Sequence, residues 1–359
     1  MLKESEILEK GLRTVKECLS VVPSLRIESI DTLSGKAGPD YRVTIHGESL
    51  DQIIYIEAKA LGTPKSTREA VNSLLLFLQK EPSNYGVLVA PYISPRSASI
   101  CNEAGIGYVD LSGNCYIAFQ QVFINREKMA NRFPFKTGLS SLYSPKSERV
   151  LRVLLTYPYR SWKSVELAKE AQVSLGMITH VSKKLGEEEW LKRTSEGIYL
   201  TQPEKLLMDW SSNYSLQQST LFNFYSLKSL LDIETEISET CVKTNIPYAL
   251  TGFSASNRLA PMVRGQRVMV YIDRDISHVA DQAGLQSVDS GANVILIQPY
   301  DSGVLWKSQL FDGFQIANPI QVFLDLKSLP GRGEEAAAFL FKEVISTTWQ
   351  QQSKITIIS

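Results

Sequence analysis

The sequence predicts an α/β protein of several domains, on three observations. Amphipathic helices and period-two strands interleave over residues 1–125, three short helices and a hairpin follow at 147–202, and a second strand–helix alternation fills 203–359. The 359 residues suffice for two to three domains, and 43% apolar with 21% charged residues is ordinary for a chain that buries real cores.

Taken in order, Ser5 to Leu19 reads as a helix because Ile7, Leu8, Leu12, Val15 and Leu19 recur at helical spacing, and Val21-Val22-Pro23 stops it. Strand patterns cover Leu25–Ile30, Tyr41–His46 and Gln52–Ala60, separated by the turn-rich runs Leu33–Pro39 and Gly47–Ser49. Ser66-Thr67-Arg68-Glu69 has capping-box spacing ahead of a helix at Ala70–Gln79. A buried strand at Gly86–Pro91, a short helix at Pro95–Ala104 and a strand pair within Gly107–Phe119 complete the order αβββαβ(αβ). Residues 126–146 are expected to connect this domain to the next, and the connector pattern itself starts at Val122. Helices at Glu148–Thr156, Trp162–Ala171 and Ser174–Leu185 and a hairpin at Trp190–Thr201, turning at Ser195-Glu196-Gly197, have the order of a winged helix-turn-helix. A mostly helical bridge at Pro203–Ile233 then leads to strands at Tyr248–Leu250, Arg267–Ile272 and Val294–Gln298 and a last helix at Glu334–Ile345.

Composition excludes several classes. No apolar run approaches the roughly 20 residues of a membrane helix, and the first ten residues lack a signal-peptide apolar region, so neither a membrane nor export is expected. Cys18, Cys101, Cys115 and Cys241 show no C-x-x-C spacing, which argues against a disulfide framework or zinc ribbon and fits the cytoplasm. With 38 basic and 38 acidic side chains there is no global field toward nucleic acid, so polyanion binding must come from local patches.

Two constellations carry chemistry. Pro39-Asp40 opens the second strand, and Glu57-Ala58-Lys59 ends the third, where alternation turns Glu57 and Lys59 to one face. If the strands pair, Asp40 joins them, and two carboxylates with a backbone carbonyl make an oxygen-rich site for Mg²⁺ or Mn²⁺, with Lys59 beside it. On these residues and this element order, the first domain resembles the PD-(D/E)XK restriction-endonuclease-like superfamily. The resemblance implies metal-dependent DNA cleavage with Asp40, Glu57 and Lys59 as catalytic residues and Asp40 and Glu57 as metal ligands. Glu28 is a weaker acidic candidate, and Arg68 and Asn72 start the helix that follows. An ordinary Glu–Lys pair at a strand end is the alternative.

In the second constellation, Ala171-Gln172-Val173-Ser174 makes the turn of the helix-turn-helix, and Ser174 caps the helix after it. Ile178, Val181 and Leu185 form its buried stripe. Ser174, Gly176, Thr179, His180, Lys183 and Lys184, with Lys192 and Arg193 on the wing, are then the candidate contacts to double-stranded DNA. Glu187-Glu188-Glu189 directly after the helix favours the competing use of the module in protein docking.

The C-terminal unit places a small-residue turn, Thr251-Gly252-Phe253-Ser254, after a strand, as nucleotidyltransferase-like α/β folds do. The next strand carries no carboxylate, and Asp273 and Asp275 follow only after its end, so the expected use is a partner surface or packing against the rest of the chain. Across its length the chain resembles a bacterial family of three-part transcriptional regulators of the type IV AbiEi-like antitoxin class. The match lies in Val89–Ser94, Gly107–Asn114, Ser144-Pro145-Lys146, Val173–Gly176, Ala249–Ser254 and Gly331–Glu335. That resemblance implies repression through the winged helix and a toxin-like protein partner for the C-terminal domain. A homodimer would suit a winged helix, though no heptad seam marks one. The readings carried forward are an antitoxin-like DNA-binding regulator, a Mg²⁺-dependent endonuclease, and a scaffold for protein association.

Overall fold

A computed structural model describes residues 4–33, 38–47, 50–133, 142–262, 265 and 267–358; the expected turn residues Ser34–Ala37 and Glu48-Ser49 and part of the connector lie outside them. The chain divides into two units, residues 1–138 with 185–189, and residues 139–184 with 190–359. The segments expected as winged helix and C-terminal α/β domain thus share one unit. Among the described residues no helix is long and apolar enough to cross a membrane.

The first unit contains α1 (Glu4–Leu19), β1 (Arg26–Thr32), β2 (Tyr41–Gly47), β3 (Leu50–Ala58), α2 (Pro64–Leu78), β4 (Tyr85–Ala90), α3 (Pro95–Glu103), β5 (Gly107–Asp110), β6 (Cys115–Phe119) and β7 (Val122–Arg126). Its seven strands stand in sequential order, parallel across β3–β4–β5 and antiparallel elsewhere. Alternation sorts the side chains between two cores. Ile54, Ile56, Val87, Val89, Val109 and Ile117 meet Ile7, Val15 and Leu19 of α1 on one face. Tyr55, Leu88, Ala90 and Tyr108 meet Val71 and Leu74 of α2 and Ile100 of α3 on the other.

Two expectations change here. The helix expected at Ala70 begins six residues earlier, because Thr63 caps it by accepting from the Ser66 N–H and Pro64 takes the first turn. Val122–Arg126 is not connector but strand β7, paired along β6 from Phe119–Val122 to Cys115–Arg126. The Gly107–Asn114 block also acquires a structural reason. Asp110, fully buried, accepts from the N–H groups of Ile93 (3.0 Å), Gly113 (2.8 Å) and Asn114 (2.9 Å), which ties that turn to the Val89–Ser94 block.

The second unit begins with α4 (Pro145–Thr156), α5 (Ser164–Glu170), α6 (Leu175–Glu187, whose residues from Leu185 on are grouped with the first unit), the hairpin β8 (Leu191–Arg193) and β9 (Ile198–Leu200), and α7 (Pro203–Asn213). Trp162 bridges to Ile198, so the hairpin is braced by a third short segment. Gly197 sits at φ +149°, and a Cβ there would lie 2.6 Å from the Trp162 carbonyl oxygen, so no side chain fits that turn. Beyond it come β10 (Thr220–Tyr225), α8 (Leu230–Lys243), β11 (Tyr248–Leu250), α9 (Gly252–Leu259), β12 (Val268–Ile272), α10 (Ile276–Gln282), β13 (Gln286–Ser287), β14 (Val294–Gln298), β15 (Gln309–Phe311), β16 (Phe314–Ile316), α11 (Pro319–Lys327), α12 (Arg332–Leu340) and α13 (Thr347–Ile358). The mixed sheet runs β13-β10-β14-β12-β11-β16-β15. The expected helical bridge is therefore interrupted by strand β10, which pairs antiparallel with β14 from Thr220–Gln298 to Phe224–Val294.

A buried polar network joins α4 to this sheet. Arg152 donates to Gln321 (2.9 and 2.7 Å) and to the Tyr300 hydroxyl (2.7 Å), stands 3.6 Å from Glu148, and lies over the Trp210 ring. The Tyr300 hydroxyl and the Trp210 indole N–H donate to Glu148. Gln321 and Asp325, one turn apart on α11, are linked at 2.9 Å, and Tyr214, Tyr271 and Thr251 all donate to Asp325. Glu148, Arg152, Gln321 and Asp325 are each 0% exposed. The Thr251–Ser254 block is accordingly structural: Thr251 holds Asp325, and Ser254 accepts from the Met269 N–H at 3.1 Å.

Arg152→Ala is expected to cost about 3–5 kcal/mol by urea titration, because it strands Glu148 in a dry core. Burial, opposed by hydrogen bonds from Thr251, Tyr214, Tyr271 and Gln321, pushes the Asp325 carboxyl up to about 6 from 3.8. The folded state then holds this proton more tightly than the unfolded state. The group's contribution is fully present below about 4 and is lost as pH rises through about 6. Relative to the wild type, Asp325→Asn should therefore gain stability between pH 4 and pH 7, by about 3 kcal/mol for a shift of this size. Paired thermal melts at both pH values check it, and a difference independent of pH would contradict the assignment.

Candidate functional sites

In the first unit, β2 and β3 pair in the register Tyr41–Ile56, and one step further the Asp40 N–H donates to the Ile56 carbonyl at 2.7 Å. Asp40 is thereby set across from Glu57, and its carboxylate accepts the Ala58 N–H at 2.8 Å. Alternation along β3 puts Glu57 on the face covered by α2 and α3, which is why it is only 5% exposed. Its Oε1 pairs with the Lys59 ammonium at 2.7 Å, while its Oε2 is buried with no protein partner. The loop after Lys59 is pressed flat: a Cβ on Gly62 would lie 2.0 Å from the Tyr92 carbonyl oxygen, and Ser97 donates to the Gly62 carbonyl at 2.8 Å.

The weaker candidates lie elsewhere. Glu28 sits at a β-bulge near the far end of β2, where it and Asp51 flank His46, with Glu28 2.7 Å from the imidazole. The hydrogen bonds to Asp51 and Glu28 raise the His46 pKa. Glu28 is therefore engaged away from the strand end that bears Asp40. Arg68 forks onto Glu189 (2.8 and 3.1 Å), a residue grouped with this unit, and Asn72 is exposed. Among the described residues no three of His, Cys, Asp and Glu converge as a metal site, so a cation here would rest on Asp40, Glu57, backbone oxygen and water.

In the second unit, α5 ends as the sequence predicts, and the turn is built by its backbone. Gln172 takes φ +52°, and the Val173 N–H donates to the Ala168 carbonyl (3.0 Å), a Schellman closure that redirects the chain into α6. The Ser174 hydroxyl accepts from the Met177 N–H at 3.3 Å, so this side chain serves the helix end. Ile178, Val181 and Leu185 are buried as the stripe requires. Gly176, Thr179 and Lys183 are exposed; His180 and Lys184 are half-buried. Burial and then the neighbouring Lys184 ammonium lower the His180 pKa. On the wing Lys192 and Arg193 are exposed, opposite Tyr199 and Ile198. Side-chain inventory missed Val165 and Leu175, which the structure leaves 67% and 52% exposed beside the turn, because helical periodicity alone had no reason to set them outside.

Residues 199–346 match the model of a family described as transcriptional regulators, the AbiEi antitoxin of a type IV toxin–antitoxin system. That stretch holds α7, the whole sheet of the second unit, Gln321 and Asp325, and begins after α4–α6. No curated protein matches the chain. Among solved structures, that of EndoMS in apo form is similar at 18% identity with a TM-score of 0.23, covering 31% of this chain and 47% of that one. This chain thus spans about half of that protein's length.

Proposed function

We propose that the chain is a DNA-binding transcriptional regulator of the antitoxin kind, which grips duplex DNA through α6 and the β8–β9 wing and offers its C-terminal α/β region to a toxin-like protein. The observation that carries this reading is the outward row on α6: Gly176, Thr179 and Lys183 are exposed, while Ile178 and Val181 anchor the helix. Lys192 and Arg193 extend the cationic surface onto the wing. The family match over residues 199–346 supports the regulatory role. In a gel-shift series on DNA upstream of its own reading frame, the protein should retard the duplex, with affinity falling steeply as salt rises. Lys183→Ala, Lys192→Ala and Arg193→Ala should each flatten the log–log salt slope by about 1. Retardation that is indifferent to salt and to all three variants would contradict the reading.

One observation favours a second activity in the first unit. The buried, unpartnered Oε2 of Glu57 costs about 1–3 kcal/mol unless something satisfies it, and Asp40 stands across the strand pair from it. This donor set fits Mg²⁺ or Mn²⁺, held by Asp40 and Glu57. The cation would polarise a phosphodiester and activate water, and Lys59 would stabilise the developing charge. Titration calorimetry with Mn²⁺ should show binding that Asp40→Ala and Glu57→Gln each abolish, and plasmid should be nicked only with the metal and all three residues present. Binding without nicking would leave a structural cation; absence of binding would remove the site.

A further inference from the structure

We propose that Leu175, with the γ-methyl of Thr179, reads the 5-methyl group of a thymine in the major groove. This inference rests on the DNA-binding reading above and adds to it the residue that selects a base. Leu175, Thr179 and Lys183 are spaced by four, so they form one stripe along α6. The Thr179 hydroxyl donates back to the Leu175 carbonyl at 3.1 Å, which leaves its methyl as the part available outward. The stripe thus runs from two apolar groups at the start of the helix to a cation further along it.

Three features of the surroundings point to nucleic acid. An open groove of about 610 Å³ beside Leu175 is lined by Val165, Ala168 and Met177, with Lys169 and with Lys146, which stands 3.6 Å from Asp301, among its lining residues. A half-exposed leucine next to lysines is a poor solvent-facing choice, and it suits a surface whose partner combines phosphates with an apolar group. Gly176 supplies the second feature. A Cβ there would meet only the Ser174 hydroxyl at 3.7 Å, so packing does not demand glycine. Glycine is a weaker helix former than alanine, and here it keeps the helix surface low where a base edge would approach. The third is chemical: of the four bases only thymine presents a methyl group in the major groove, and apolar side chains and the threonine methyl are its recognised partners.

The test uses the full chain. Duplexes retained from a randomised pool are sequenced, and each thymine of the selected site is replaced in turn by deoxyuridine, which lacks only the methyl group. For the wild type, one position per site should weaken binding about fourfold, the worth of one buried methyl. Leu175→Ala should bind more weakly overall and be indifferent to that replacement, whereas Leu175→Met should restore the sensitivity. Because Leu175 is half-exposed, circular dichroism melts of the variants should match the wild type. Tolerance of deoxyuridine at every position, or equal sensitivity in Leu175→Ala, overturns the assignment while leaving DNA binding intact. Failure to retain any duplex overturns the DNA-binding reading itself, and this one with it.

Discussion

The second unit depends on two carboxylates placed in a core that excludes water. Glu148 and Asp325 are each fully buried, and each would be untenable alone. Arg152 answers the first, and Gln321 spans the gap between them, accepting from Arg152 on one side and donating to Asp325 on the other. Tyr214, Tyr271 and Thr251 donate to Asp325, and Tyr300 and Trp210 donate to Glu148, while Arg152 Nη1 is buried with no protein partner. Such networks are poor sources of net stability and good sources of uniqueness, since a shifted packing would leave a charge unpaired. Here the network prescribes how α4 meets α7, α11 and the sheet.

That coupling fixes α4 on the sheet. A second tie reinforces it: Arg149, one position beyond Glu148, forks onto Asp301 at 2.6 and 3.0 Å, and Asp301 in turn accepts the Gly303 N–H at 2.7 Å. α4 therefore sends charged side chains into the sheet region at three positions, 148, 149 and 152. The thymine reading proposed for α6 needs Leu175, Thr179 and Lys183 held in one geometry. The family match, residues 199–346, covers this sheet and begins after α6.

The first unit follows a different logic. Its charged residues sit at a strand end, and the fold makes the pair through register: Tyr41 opposite Ile56 sets Asp40 opposite Glu57. Burial of Glu57 comes from the two helices over that face. Glu28, close to Asp40 in sequence, goes to His46 because a bulge and the antiparallel turn carry it to the other end of β2.

Much of this was legible beforehand, and the reason is periodicity. α1, β2, β4, α3, the turn at Ala171–Ser174 and the wing are all local patterns, since the repeat of apolar residues and the capping chemistry are properties of neighbouring residues. The start of α2 escaped because two N-cap signals compete there and Pro64 decides between them. Strands β7 and β10 escaped for another reason: each is a short edge-side run whose exposed face breaks the alternation, and only pairing with β6 or β14 defines it. The polar network was invisible in sequence, because Glu148, Arg152, Thr251, Gln321 and Asp325 look like ordinary helix and turn residues until the fold removes water from them. By itself the sequence determined most of the elements, the turn chemistry and the residue types available for DNA and metal. Which polar groups are buried together, and which apolar ones are left outside, was decided only by tertiary packing, because desolvation belongs to the assembled structure and to no segment of it.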